Sequence, residues 1–291
     1  MSEARESFPC FGATCTVLVD GPGGAEAATV ARELLVSWHD RFTRFDPASE
    51  LSRVNADRRA SIPVTPLMGR LAASVAHAAK LSGGLVDGTL LDEIEAAGYR
   101  DDLCAPLDLA EALALAPPRR PATPRSDRRG VSVDFPSLVL TRPPGVRIDG
   151  GGLAKGLFAD VVAETLAGRT FAVDCAGDVR LGGTPRRVQV ESPFDGSVLH
   201  TFTLAGGGIA TSGIGRRSWL DDRGAPAHHL LDPATGRPAF TGVVQATAIA
   251  PTALEAEVRA KAAVLSGHEH AAGWLAHGGV VVLDDGGHLT V

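Results

Sequence analysis

The stretch Ile148–Asp160, IDGGGLAKGLFAD, is the most informative part of the 291-residue chain. Three consecutive glycines, Gly150–Gly152, separate a short apolar segment from Leu153–Leu166, whose apolar spacing predicts a helix. Glycines at such a junction let the backbone approach a ligand closely, and the first turn of a helix offers free N–H groups to an anion. Lys155 lies in that turn, where a cation opposes the helix dipole unless an anion binds beside it. The stretch therefore predicts either a phosphate site or an ordinary glycine-rich turn between a strand and a helix.

Strand-like and helix-like segments continue on both sides of this unit, with no internal repeat of fixed period. Strands are predicted at Cys15–Asp20, Val131–Val133, Leu138–Thr141, Val146–Ile148, Phe171–Val173, Arg187–Glu191, Leu199–Leu204, Val243–Ala250, Val280–Leu283 and Leu289–Val291. Helices are predicted at Ala25–His39, Leu67–Leu81, Leu153–Leu166 and Thr252–Leu265, with a further short helix capped by Ser49. The pattern indicates a mixed α and β fold. The Pro- and Arg-rich segment 116–130 predicts a mobile surface loop.

Composition excludes several classes of protein. Apolar residues make up 44% of the chain and charged residues 21%, which is typical of a soluble globular protein, and no stretch is long and apolar enough for a membrane span. The net charge of −6 argues against a nucleic-acid partner, since phosphate contacts call for a basic face. The N-terminal segment begins with acidic residues and has no apolar core, so we expect a cytoplasmic location.

The cysteines and lysines are few. Four cysteines lack the spacing of a zinc site or a disulfide framework, so reduced thiols are expected at Cys10, Cys15, Cys104 and Cys175. Only three of the 28 basic residues are lysines: Lys80, Lys155 and Lys261. A coding bias toward arginine explains the excess of arginine, and under such a bias a lysine indicates a position where a planar guanidinium does not serve.

Two further segments suggest chemistry. Gly206–Ser212, GGGIATS, followed by Arg216 and Arg217, fits either a close backbone approach with hydroxyl donors or a plain loop with two solvated arginines. His228–Pro238, HHLLDPATGRP, contains an Asp-Pro turn. Alternation along the chain places one of its two histidines on the surface and the other inside, where it is either a core histidine or a catalytic group.

Seven motifs in this order resemble the ApbE family of FAD:protein FMN transferases. They are RFDPASELSRVNA, GGLVDGTLLD, IDGGGLAKGLFAD, CAGDVRLGG, GGGIATSG, HHLLDPATGRP and the strand–Pro–helix segment that ends in VLSG. The FGAT sequence near Cys10 resembles the family's N-terminal MGT motif, so the resemblance runs from Cys10 to Gly267.

The resemblance implies a fold and a reaction. It implies an α+β flavin transferase fold, with mixed sheets flanked by helices and an FAD cleft between two subdomain halves of a single domain, residues 1–291. It also implies that FAD is split at its pyrophosphate, that FMN is attached to a Thr or Ser of an acceptor protein, and that AMP is released. The family normally uses a divalent metal ion, usually Mg²⁺.

The resemblance also implies site residues at the matching positions. Predicted flavin-binding residues are Ser49, Glu50, Asp87, Thr89, Gly150, Gly151, Gly152, Lys155, Asp160, Thr211, Ser212 and Asp232. His229 is the expected base for the acceptor hydroxyl, because its ordinary pKa suits proton transfer near neutrality. Asp178 is expected to orient that step or to hold a cation, and Lys155 with the Gly150–Gly152 amides is expected at the pyrophosphate.

The chain departs from the family in the C-terminal helix. The family places an Asp and, four residues later, a Thr on the metal, and the matching residues here are Glu257 and Lys261. A protonated ammonium cannot ligate Mg²⁺. Three interpretations remain: an ordinary ion pair on a solvated face, with the metal bound by other ligands such as the Gly152 carbonyl; replacement of the metal's charge by Lys261; or a protein that binds, delivers or hydrolyses FAD without transferring FMN.

Overall fold

An eight-stranded antiparallel sheet organises the computed structural model, which describes residues 3–101, 106–125 and 130–291. The strands are β1 (Ala4–Cys10), β2 (Ala13–Val19), β3 (Ser61–Pro63), β4 (Ser132–Asp134), β5 (Val139–Thr141), β6 (Phe171–Cys175), β7 (Asp178–Gly182), β8 (Arg186–Glu191), β9 (Val198–Leu204), β10 (Gly207–Gly213), β11 (Ser218–Leu220), β12 (Pro226–His228), β13 (Leu231–Asp232), β14 (Arg237–Pro238), β15 (Val243–Ala250), β16 (Gly279–Leu283) and β17 (His288–Thr290). The large sheet has the order β1-β2-β6-β7-β10-β15-β16-β17, and β3-β5-β4, β8-β9, β11-β12 and β13-β14 form smaller sheets.

Helices cover the large sheet in the order of its strands. They are α1 (Gly24–Phe42), α2 (Glu50–Ala56), α3 (Pro66–Leu81), α4 (Leu91–Ala96), α5 (Leu109–Leu115), α6 (Ala154–Thr165), α7 (Ala253–Ser266), α8 (His268–Ala271) and a 3₁₀ turn at Ala272–Trp274. Helix α1 packs on β1 and β2, α6 on β6 and β7, and α7 on β10 and β15. The predicted α+β class is confirmed.

Side-chain caps explain where several helices begin. The hydroxyls of Ser49, Thr65 and Thr252 each accept a hydrogen bond from the backbone N–H three residues later, at the first turns of α2, α3 and α7. Pro66 at the first position of α3 adds the backbone angle that a helix start requires. The N-terminus of α6, by contrast, has Leu153 at the cap position and no side-chain hydrogen bond to its first amides.

The predicted strand Val146–Ile148 is absent. The amide and carbonyl of Ile148 are bound by the Asn55 side chain at 2.8 Å each, and the Val146 carbonyl accepts a hydrogen bond from the guanidinium of the fully buried Arg142. Side chains therefore satisfy the backbone groups that a neighbouring strand would otherwise pair, so the apolar pattern does not produce a strand here.

The Gly206–Ser212 segment is a central strand and not a loop. It contributes β10, which pairs with β7 on one side and β15 on the other. A Cβ on Gly208 would lie 2.3 Å from the backbone of Thr252 and Ala253. The glycines are needed because the start of α7 rests directly on this strand.

The Pro- and Arg-rich segment is anchored where the structure describes it, contrary to the predicted mobile loop. The amides of Arg120 and Ala122 donate to the carbonyls of Phe240 and Leu265 at 2.9 and 2.8 Å. Arg125 pairs with Glu93 at 2.7 Å. Residues 126–129 of the predicted loop lie outside the described residues.

The predicted free thiols and the absence of a spanning segment agree with the described residues. Cys10, Cys15 and Cys175 are free and buried, and Cys104 lies outside the described part. None of the helices in the described ranges is long and apolar enough to cross a membrane.

Candidate functional site

A cavity of about 660 Å³ opens between the β1–β2 turn, α1, the glycine-rich stretch and α7. Two groups of side chains characterise it. The aromatic cluster consists of Phe11, Trp38, Phe42 and Phe158, whose rings all line the cavity. The charged cluster consists of Lys155, Asp178, Glu257 and Lys261.

The aromatic cluster is centred on Phe158. Its ring centroid lies 5.4 Å from that of Trp38, 5.5 Å from that of Phe42 and 5.9 Å from that of Phe11. Phe158 is fully buried and belongs to the main hydrophobic core. These rings form an apolar wall of the kind that accommodates a flat aromatic ligand.

The charged cluster places its cations on the cavity side and its anions behind them. Lys155 and Lys261 line the cavity, whereas Asp178 and Glu257 are buried and do not. The Lys155 ammonium lies 3.0 Å from Asp178 Oδ1 and 3.5 Å from the carbonyl of Ala176. Lys261 forms a close ion pair with Glu257 and lies 3.4 Å from the Ser212 hydroxyl. The cavity therefore presents two ammonium groups to any ligand it holds.

Electrostatic shifts follow from this arrangement. Burial disfavours the charged form of Lys155, but the carboxylates of Asp178 and Glu257 outweigh burial and raise the pKa of its ammonium. Burial and the nearby charge of Asp178 raise the pKa of Glu257, against the attraction of the two lysines. One oxygen of each carboxylate, Asp178 Oδ2 and Glu257 Oε2, has no hydrogen-bond partner among the described residues.

The predicted histidine pair is divided between the core and the cavity. His228 is fully buried, accepts a hydrogen bond from the Leu230 amide at 3.2 Å, and packs edge-on against Phe240. His229 lines the cavity. Burial, followed by the positive charges of Arg217 and Lys261, lowers the pKa of His229 well below its usual value. The imidazole is therefore neutral near pH 7, the form that can accept a proton.

Several predicted site residues do line the cavity. They are Asp87, Gly150, Gly151, Gly152, Lys155, His229 and Lys261. Asp87 Oδ1 accepts hydrogen bonds from the amide and hydroxyl of Thr89, which is buried behind it. The Gly151 amide donates to Asp149 Oδ1 at 2.8 Å, and its contact with pyrophosphate stays a prediction.

Asp160, a predicted flavin contact, holds the start of a helix and does not line the cavity. Its two carboxylate oxygens accept hydrogen bonds from the amides of Ala253 and Leu254 at 2.9 and 3.0 Å, which caps the start of α7. Gly156 lies one turn earlier, and a Cβ there would come within 2.9 Å of the same two residues. Gly156 and Asp160, in the second part of the stretch Ile148–Asp160, therefore join α6 to α7.

Five more predicted flavin contacts lie outside the lining and have structural partners. Ser49 caps α2, and Glu50 pairs with Arg41 and with the Thr65 hydroxyl. Thr211 shares a hydrogen bond with Thr247 at 2.8 Å, and Ser212 accepts from Lys261. Asp232 accepts from the amides of Ala234 and Thr235 in a turn. These five polar groups therefore bind other groups of the protein.

The aromatic wall and Arg217 are absent from the predicted site. Arg217 lines the cavity beside the charged cluster and donates to the Phe11 carbonyl at 3.3 Å. Phe11 has a positive φ of 54°, which is uncommon for a residue other than glycine and marks the turn that closes over the cavity. The FGAT sequence was the available signal for this turn, whereas Trp38 and Phe42 are indistinguishable by pattern from core residues.

The residues at the predicted metal positions include Lys261, whose protonated ammonium cannot ligate a divalent cation. Among the ranges the structure describes, no group of three or more His, Cys, Asp or Glu is arranged to hold a metal ion. Mg²⁺ requires near-octahedral oxygen ligands, whereas one oxygen of Asp178 and one of Glu257 already pair with an ammonium. The Lys261 side chain packs against Gly152 and pairs with Glu257, and the metal contacts at these two residues stay predictions.

The described residues form an α+β protein whose cavity is lined by an aromatic cluster and by Lys155 and Lys261. The sequence profile of the ApbE family matches residues 11–283, and the chain belongs to that family.

Relatives agree with the assignment. An FAD:protein FMN transferase of Vibrio cholerae is 28% identical over 287 residues, covering 90% of this chain and 81% of that protein. An FAD:protein FMN transferase of Rhodobacter capsulatus is 27% identical over 284 residues, and the match covers 92% of this chain and 52% of that protein. The ApbE protein of Thermotoga maritima superposes with a TM-score of 0.80 at 24% identity, covering 99% of this chain and 97% of that one. The apo flavinyl transferase of Pseudomonas stutzeri gives 0.77 at 22% identity, covering 100% and 94%.

Proposed function

We propose that the protein is an FAD:protein FMN transferase that attaches FMN through a phosphoester to a Thr or Ser of an acceptor protein. The observation that carries the proposal is the pairing, in one cavity, of the aromatic cluster with two ammonium groups that face the ligand. The names of the relatives support the same reaction. FAD combines the two features that the cavity accommodates, a flat ring system and an anionic pyrophosphate.

The reaction replaces one bond at phosphorus by another, and the protein must accept a proton and offset the charge on the phosphates. The acceptor hydroxyl oxygen bonds to the phosphorus of the FMN half, the bond from that phosphorus to the bridging oxygen breaks, and AMP leaves with the bridging oxygen. We assign His229 to accept the hydroxyl proton, since its lowered pKa keeps the ring neutral. Lys155 and Lys261 offset the charge on the phosphates, and Asp178 positions the Lys155 ammonium from behind.

The proposal extends to the organisation and setting of the protein. We infer that residues 1–291 act as one domain, because segments from Pro9 to Leu265 line a single cavity. A cytoplasmic location and an acceptor that carries a Thr or Ser flavinylation motif are part of the proposal. The positive charge is taken from lysines, so no step is assigned to Mg²⁺.

Incubation with FAD and an acceptor protein of the Vibrio cholerae relative tests the proposal. We expect covalent flavin fluorescence on the acceptor after denaturing electrophoresis, and AMP in equal amount by chromatography. His229→Ala should abolish both signals, and His277→Ala, at an exposed histidine, should leave them unchanged.

The other outcomes identify the alternatives. AMP and free FMN in equal amounts would indicate an FAD pyrophosphate hydrolase. Tight FAD binding without AMP would indicate a flavin-binding or flavin-delivering protein. Either result contradicts the transferase proposal.

A further inference from the structure

We infer that this site binds the pyrophosphate of FAD directly on the ammonium groups of Lys155 and Lys261, and that it works without a divalent cation. The inference rests on the proposed function, because it takes FAD as the ligand. It concerns how the anion is held and can be tested by binding alone.

The first support is the position of Lys261. Its side chain is buried and packs against Gly152 of the glycine-rich stretch, where a Cβ would lie 2.8 Å from Cε and 3.6 Å from Nζ. The glycine therefore leaves the space that the lysine occupies. Lys155 lies in the first turn of the helix that follows the same glycines, so two cations flank the segment predicted to receive a phosphate.

The second support is the order of charges around the cavity. A cation site presents oxygen atoms to the ion, but here Lys155 and Lys261 line the cavity, whereas Asp178 and Glu257, with which they pair, do not. A divalent ion in front of the lysines would meet two positive charges first. A phosphate in the same place would meet two charged hydrogen-bond donors.

The third support is the use of lysine in this chain. Two of the three lysines are in the charged cluster, in a sequence that otherwise uses arginine 25 times. A compact ammonium fits the narrow space beside Gly152, whereas a planar guanidinium is wider and bonds as a fork. Arg217 adds a further cation beside the charged cluster, near the Phe11 turn.

Titration of the purified protein with FAD and with riboflavin tests the inference. Quenching of the flavin fluorescence measures binding in both titrations. Riboflavin has the ring but no phosphate, so the ratio of the two affinities reports the pyrophosphate contacts. We expect the FAD dissociation constant to agree within about twofold between buffer with EDTA and buffer with Mg²⁺. A loss of FAD affinity of about tenfold or more in EDTA, with riboflavin unchanged, would overturn the inference.

Lys261→Thr is the matched variant. In EDTA it should weaken FAD binding by about 10- to 100-fold and leave riboflavin binding unchanged. Lys80→Thr, at the exposed end of α3, is the control and should bind as the original chain does. Equal FAD affinity of the original chain and a folded Lys261→Thr variant would also overturn the inference.

The measurements separate this inference from the proposed function. Cation-independent FAD binding with no FMN transfer in any buffer refutes the transferase and leaves the lysine site standing. FMN transfer and FAD binding that both require Mg²⁺ support the transferase and refute the lysine site. The comparison of buffers uses the unaltered chain, so it gives an answer even if the variant fails to fold.

Discussion

The aromatic cluster and the charged cluster both contribute side chains to the same cavity, and α6 belongs to both through Phe158 and Lys155. The two clusters differ in how much they contribute to the stability of the fold. Phe158 is continuous with the main core, so one side chain both stabilises the fold and shapes the cavity. The lysines and their carboxylates are buried ion pairs, whose desolvation offsets most of their attraction. The difference indicates that the aromatic wall is retained for folding and binding together, and the charged cluster for its ligand.

The largest effect is expected at the boundary of the two clusters, where His229 lies. His229→Ala should lower the rate of FMN transfer by about 10²- to 10⁴-fold, because it removes the proton acceptor. The FAD dissociation constant should change little, which fluorescence titration can check. A parallel loss of binding and rate would instead make His229 a binding residue.

Phe158→Ala should reduce the free energy of unfolding by about 3–5 kcal/mol, since it empties a fully buried site at the centre of the aromatic cluster. Urea denaturation measures the loss. Phe194→Ala, at an exposed phenylalanine, is the control and should change stability by less than about 0.5 kcal/mol.

The charged cluster should respond in the opposite way to an apolar replacement. The double variant Glu257→Leu with Lys261→Met should be as stable as the original chain or more stable by about 1–4 kcal/mol, because it removes the desolvation of two ions together. The same denaturation experiment measures it. Marked destabilisation would mean that the pair supports the fold and would weaken the contrast between the clusters.

His228 makes the protein sensitive to acid. Burial lowers its pKa to about 3, and the unfolded chain titrates near 6.5, so between these values only the unfolded chain takes up the proton. The free energy of unfolding that depends on neutral His228 is fully present above pH 6.5 and is lost as the pH falls toward 3. The expected loss of unfolding free energy between pH 6.5 and pH 4 is about 3 kcal/mol.

His228→Gln should flatten this part of the stability profile, measured by denaturation at each pH. His277→Gln, at an exposed histidine, is the control and should leave the slope unchanged. An unchanged slope in His228→Gln would assign the acid sensitivity to other groups.

Asp160→Ala should give the smallest effect, about 1–2 kcal/mol of unfolding free energy, because it removes a helix cap. FAD affinity should stay the same, since Asp160 does not line the cavity. A drop in FAD affinity without a change in stability would restore the predicted flavin contact.

The sequence was sufficient for the fold class and for two lysines that line the cavity, Lys155 and Lys261. Periodicity located α1, α3, α6 and α7, and the glycine-rich stretch with Lys155 led directly to the cavity. A short sequence pattern did not predict that Ser49 and Asp160 bind backbone amides at helix starts, because it does not reveal which group a side-chain oxygen faces. It also missed Trp38, since an aromatic residue on the buried side of a helix has the same spacing whether it lines a core or a cavity.

The joint between α6 and α7 has a consequence for the ligand. Gly156 allows the two helices to touch, and Asp160 fastens the start of α7 to the side of α6. Lys155 stands on one of these helices and Lys261 on the other, so the gap between the two ammonium groups is set before any ligand arrives. Such a fixed distance selects anions by their length. An anion long enough to reach both ammonium groups binds without reorganising the protein, whereas a shorter anion contacts only one of them.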